Sequence, residues 1–149
     1  MKGSRRLRPV ARFARQQERD AARQLGDRLH HVEQQQKQLD NLLHYRDQYV
    51  ASFQIAGKQG LTVVQLRDYQ LFLSRLDSAI LQQQQLLDEA RRQCERSQAE
   101  WRHRHGHSKM IDKVVEDRKQ AEQREQNARE QREQDDRPGA ITHQDPSDS

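Results

Sequence analysis

Apolar residues in this chain recur at alternating steps of three and four over two stretches, one on each side of a segment containing two glycines. The first stretch runs Leu25, Leu29, Val32, Gln36, Leu39, Leu43, Arg46, Val50, Phe53; the second runs Leu66, Tyr69, Leu73, Leu76, Ile80, Gln83, Leu87, Ala90, Cys94. Such stepping is the heptad pattern that winds helices about each other along a shared seam. Folded back as an antiparallel hairpin, the seams match position for position: Leu25 with Cys94, Leu29 with Ala90, Val32 with Leu87, Leu39 with Ile80, Leu43 with Leu76, Phe53 with Leu66. Their polar interruptions, Gln36 and Gln83, then meet. A slip of one heptad sets each glutamine against an apolar side chain, at a cost of roughly 1–3 kcal/mol for an amide without a partner. The pattern therefore predicts its own register.

Helices are expected from about Pro9 to Ile55 and from about Val63 to Arg137, extending roughly 70 Å and 110 Å at about 1.5 Å per residue, which makes a rod. Pro9 suits the first helical position and Pro138-Gly139 a stop. Between the helices, Gln54 to Thr62 holds Gly57 and Gly60 for a turn and Thr62 with Gln65 for a capping box. The second seam continues through Ser97, Trp101, Arg104, Ser108, Ile111 and Val115, opposite Ala22, Glu18, Arg15 and Ala11, so packing thins toward the open end. Beyond Val115 no large apolar residue remains before Pro138, but Arg118/Glu122, Glu125/Arg129 and Arg129/Glu133 are spaced to support a lone helix. The expected fold class is all-α: a long two-helix antiparallel coiled coil with the longer helix second. The division is a basic arm at 1–8, a hairpin at 9–137 and a disordered tail at 138–149. Two open helices pairing into a four-helix bundle satisfy the same heptads; the Gln36–Gln83 match favours the intrachain hairpin.

Composition agrees with a seam rather than a globular core, with 32% apolar, 5% aromatic and 34% charged residues in 149. No run reaches the roughly 20 apolar residues of a membrane span or resembles a signal peptide, and the expected location is the cytoplasm. The single Cys94 falls on the seam, where it reads as a small buried hydrophobe. Charge is uneven: the first fifteen residues carry Lys2, Arg5, Arg6, Arg8, Arg12 and Arg15 and no acid, whereas nine acids face six bases from Asp117 onward. The basic arm could draw phosphate or anionic lipid, but with Phe13 alone beside it there is no stacking platform, and specific nucleic-acid binding is not expected.

Catalysis needs groups held in a concave, partly dry site, which a two-helix seam does not offer, and no phosphate loop or nucleophile with its base is present. The chain reads as no enzyme, without cofactor or metal. His103 and His107 are spaced for a metal on one helical face, yet Arg102 and Arg104 repel a cation there and Gly106 loosens the helix. More telling is an apolar surplus beside the seam near the turn. Leu42, Tyr45 and Tyr49 form a second stripe on the first helix, and Phe72 and Ala79 flank Leu76 on the second; such residues either widen the internal packing or face a partner.

From Asp20 to Lys119 the chain resembles the FliJ family, small coiled-coil components of the flagellar type III export apparatus. The likeness rests on DAARQLG at Asp20 to Gly26, LLHYRDQY at Leu42 to Tyr49, the glycine-containing turn, DYQLFLSRLDSAI at Asp68 to Ile80, and Trp101. It implies an antiparallel coiled coil like the stalk subunit of rotary ATPases, peripheral to the inner membrane. The implied partners are the hexameric flagellar export ATPase, the cytoplasmic domain of the export gate, and export chaperones. The family's gate-facing surface maps onto Gln38, Leu42, Tyr45, Tyr49, Phe72, Leu76, Ala79 and Gln83. Arg5, Arg6, Arg8, Arg12 and Arg15, with the terminal helix, are the corresponding candidates for the ATPase or another anionic partner. The related stalk of a virulence injectisome, and a basic coiled coil binding nucleic acid or membrane, are the alternatives. The arginine-dense start and the Gln/Glu/Arg-rich C-terminal extension depart from the family pattern.

Overall fold

The computed structural model describes residues 2–137; the expected tail and the Pro138-Gly139 stop lie outside the described residues. Two helices account for nearly all of them, α1 (Lys2–Lys58) and α2 (Val63–Asp135), with no strand among the described residues. They pair antiparallel in two compact units, one of Arg19–His103 and one that joins α1 up to Glu18 with α2 from Arg104 onward.

The Arg19–His103 unit contains the turn. Gln59 N–H donates to the Ala56 carbonyl and Gly60 N–H to that of Gly57, ending α1. Gly60 then takes φ +89°, a left-handed value that glycine adopts without a Cβ penalty. The expected capping box starts α2: Gln65 N–H donates to Thr62 Oγ1 at 3.1 Å while Thr62 N–H donates to Gln65 Oε1 at 2.9 Å.

In this unit α2 buries or half-buries the expected positions from Tyr69 to Trp101, while Leu66 stays 42% exposed. On α1 the buried or half-buried positions of this unit are Ala21, Leu25, Arg28, Val32, Gln35, Gln36, Leu39, Leu42, Arg46, Tyr49, Val50, Phe53 and Ala56. Arg28 and Leu42 take the places given to Leu29 and Leu43, which are exposed, while Gln35 and Tyr49 share theirs with the half-buried Gln36 and Val50. Arginine fits such a position because its aliphatic stem packs while its head stays polar. Arg28 Nη1 donates to Gln93 Oε1 at 2.8 Å, and Arg46 Nε to Asp77 Oδ1 at 2.6 Å.

The polar match is corrected in the same way. Gln83, 7% exposed, donates Nε2 to the Gln35 carbonyl at 3.1 Å and to Gln35 Oε1 at 2.8 Å. Gln36 instead donates to Asp40 and accepts from Arg91. Around this bond lies an apolar cluster of Leu39, Leu76, Ile80 and Leu87, with Val32 and Leu42 packed against it.

The other unit has a core of its own rather than a thinning end. Ala11, Ala14, Ile111 and Val115 are buried with Leu7 against them, and Ser108 is 2% exposed. Ala14, not Arg15, is the packed residue. The helix also begins seven residues before Pro9. Ser4 N–H and hydroxyl both donate to the Glu122 carboxylate, at 3.1 and 2.7 Å, which anchors this earlier start. Pro9 is exposed, so the bond its ring removes is lost on the wet side of the helix. Gly3 leaves room for Arg118, whose Nη1 lies 3.0 Å from where a Cβ would stand.

Candidate partner-docking surface

Next to the turn, five aromatic rings from both helices pack in series. Phe53 stacks on Tyr69 at a centroid distance of 3.4 Å, Tyr69 on Tyr49 at 5.2 Å, Tyr49 tilts against Phe72 at 4.6 Å, and Tyr45 meets Phe72 edge-on at 6.1 Å. The heptad shift on α1 produces this arrangement, because it turns Tyr49 into the seam between Tyr69 and Phe72. The three pairs with centroids 4.6–6.1 Å apart stabilise by about 0.5–1.5 kcal/mol each beyond their buried area. The inner rings are half-buried, whereas Tyr45 is 49% and Phe72 36% exposed. The series therefore ends in an exposed aromatic edge fixed from behind. Beneath the inner rings, Tyr49, Ser52, Phe53, Ala56, Gln65, Asp68 and Tyr69 line a shallow groove of about 300 Å³.

Of the residues assigned to a gate-facing surface, Gln38, Tyr45 and Phe72 are exposed and Ala79 is half-buried. Leu76 and Gln83 are buried in the seam, and Leu42 packs on the same cluster, so these three hold the helices together instead of facing outward. Tyr49 supports the edge from within. Leu86, 55% exposed, continues the seven-residue spacing of Phe72 and Ala79 along α2. The ion pair of Arg46 with Asp77 crosses the helices close by, and that bond raises the Arg46 guanidinium pKa above its ordinary value.

In the other unit, Arg5, Arg6, Arg8 and Arg12 are exposed on α1, and Arg15 lies 3.6 Å from Asp112. Glu18 meets His105 Nδ1 at 2.6 Å. The bond to His105 holds the Glu18 carboxyl below its ordinary pKa, with Ser108 adding in the same direction and burial opposing. The Ser4 hydroxyl and N–H bring the Glu122 carboxyl down to about 2. His103 and His107 are exposed, and no group of three metal-ligating side chains occurs among the described residues. Cys94 is half-buried on the seam. No helix of the described residues is long and apolar enough to cross a membrane.

The arrangement can present surfaces and hold them in register, and the aromatic edge is one that both helices build. The FliJ family model, described as Flagellar FliJ protein, matches residues 2–141. No curated protein and no solved structure matches the chain.

Proposed function

Because this chain belongs to the FliJ family of flagellar export components, we propose that it is a non-enzymatic coiled-coil stalk joining the hexameric export ATPase to the cytoplasmic domain of the export gate. In this reading it also cycles the chaperones that escort export substrates, at the cytoplasmic side of the inner membrane. The observation that carries the reading is the exposed Tyr45–Phe72 edge, preformed by the rings behind it. A preordered aromatic anchor costs little entropy on docking, and such residues dominate interface energies. Gln38, Ala79 and Leu86 border the edge as the rim of the gate surface. The ATPase contact falls to the stretch of α2 after Glu122, which is exposed and held by pairs such as Arg129 with Glu125 at 2.9 Å.

Capture of the purified gate domain by the full chain tests the reading. Tyr45→Ala with Phe72→Ala removes the exposed rings without opening the Leu76 cluster, and gate binding should fall at least tenfold with helicity retained. Unchanged affinity in that variant would remove the edge from the docking surface. Absence of gate binding in the unaltered chain would remove the stalk assignment.

A further inference from the structure

We propose that the outward face of α1 from Arg5 to Phe13 binds an anionic lipid surface, and this is independent of the aromatic edge near the turn. The first acidic residue of the chain is Glu18, so α1 opens with cationic side chains alone. Ser4, Leu7, Ala11 and Ala14 are committed to α2. Helical spacing then sets Arg5, Pro9 and Phe13 on the opposite side, Arg6 and Val10 beside them, and Arg8 and Arg12 on the flank that borders α2. All seven are exposed, Val10 at 45% and Phe13 at 63%.

The charges on this face are left for an external partner. Among the described residues Arg5, Arg6, Arg8 and Arg12 make no ion pair. The acids that face them from α2 are Asp112, which pairs with Arg15, and Glu116, which shares a groove of about 370 Å³ with Arg8, Arg12 and Lys119.

Charge alone fits any polyanion, and the apolar pair decides between them. Phe13 and Val10 sit among the arginines, where a membrane offers both phosphate headgroups and, a few ångströms deeper, acyl chains to cover them. A nucleic-acid backbone would leave both uncovered, and one ring cannot supply the succession of stacking platforms that single strands use. The ligand chemistry is therefore a phosphate-bearing anionic lipid at a bilayer surface.

Co-sedimentation of the full chain with phosphatidylcholine vesicles, with and without phosphatidylglycerol, tests this. Binding should require phosphatidylglycerol and weaken steeply with salt. Each arginine contributes roughly fivefold to the partition constant, so Arg5, Arg6, Arg8 and Arg12 all changed to Gln should reduce binding by two orders of magnitude or more. Lysine at the same four positions should preserve it. Phe13→Ala should weaken vesicle binding several-fold while leaving duplex DNA binding unchanged. Circular dichroism checks that each variant remains helical. No binding to phosphatidylglycerol vesicles, or binding untouched by the glutamine variant, overturns the proposal. Equal binding to DNA, with no effect of Phe13→Ala on vesicles, overturns it in favour of a general polyanion site.

Discussion

The pairing of Gln83 with Gln35 can be tested against the pairing that hydrophobic pattern alone suggests. Gln83 is 7% exposed and its amide makes two bonds to Gln35, one to the backbone carbonyl and one to Oε1. Neutral hydrogen bonds contribute about 0.5–1.5 kcal/mol each, and loss of packed methylene adds about 0.8 kcal/mol. Gln83→Ala should therefore cost about 2–4 kcal/mol. Gln35→Ala removes only the Oε1 acceptor, since its carbonyl remains, so the coupling between the two positions should be about 1 kcal/mol. Gln36 bonds to Asp40 and Arg91 at the surface, and its coupling to Gln83 should be close to zero. Urea unfolding followed by circular dichroism, on the two double-mutant cycles, reads both numbers. A Gln36–Gln83 coupling larger than that of Gln35–Gln83 would refute the register described here.

Three further outcomes follow from packing and electrostatics. Leu87→Ala should cost about 3 kcal/mol because Leu87 is 3% exposed, whereas adjacent Leu86→Ala, at 55% exposure, should stay within about 1 kcal/mol; thermal unfolding separates them. Gly57→Ala should stabilise by roughly 0.5–1 kcal/mol, since nothing lies within 4 Å of its Cβ position inside α1, while Gly60→Ala should destabilise by about 1 kcal/mol because of φ +89°. Glu122 has a lowered carboxyl pKa, so its contribution is fully present above the ordinary value of 4.5 and is lost as pH falls toward about 2. Protection factors for hydrogen exchange in the first turns of α1, taken relative to the intrinsic rate at each pH, should fall over that acid range, and Ser4→Ala should flatten the dependence; an unchanged profile would deny the Ser4–Glu122 anchor a role.

The contrast between the two seams shows what hydrophobicity can and cannot reveal about such a chain. On α2 the three-and-four stepping alone picks the packed member of Phe72/Leu73, Leu86/Leu87 and Val114/Val115, and the expected positions from Tyr69 to Val115 are buried or half-buried. On α1 every second step offers two neighbours, Arg28 or Leu29, Gln35 or Gln36, Leu42 or Leu43, Tyr49 or Val50; hydropathy favours the second of each pair or is indifferent, whereas packing favours the first or divides between them. The selection depends on the partner: Gln93, Gln83 and Asp77 on α2 supply groups that satisfy Arg28, Gln35 and Arg46 in the seam. No pattern along α1 alone contains that information. The same one-residue rotation decides the candidate site, because it draws Leu42 and Tyr49 inward and leaves Tyr45 with Phe72 as the outer edge. The early start of α1 has a similar cause. Pro9 looked like a first helical residue on local grounds, but Ser4 and Leu7 find Glu122 and the Ile111–Val115 core more than a hundred residues away in the chain, and that tertiary gain carries the helix back through the proline.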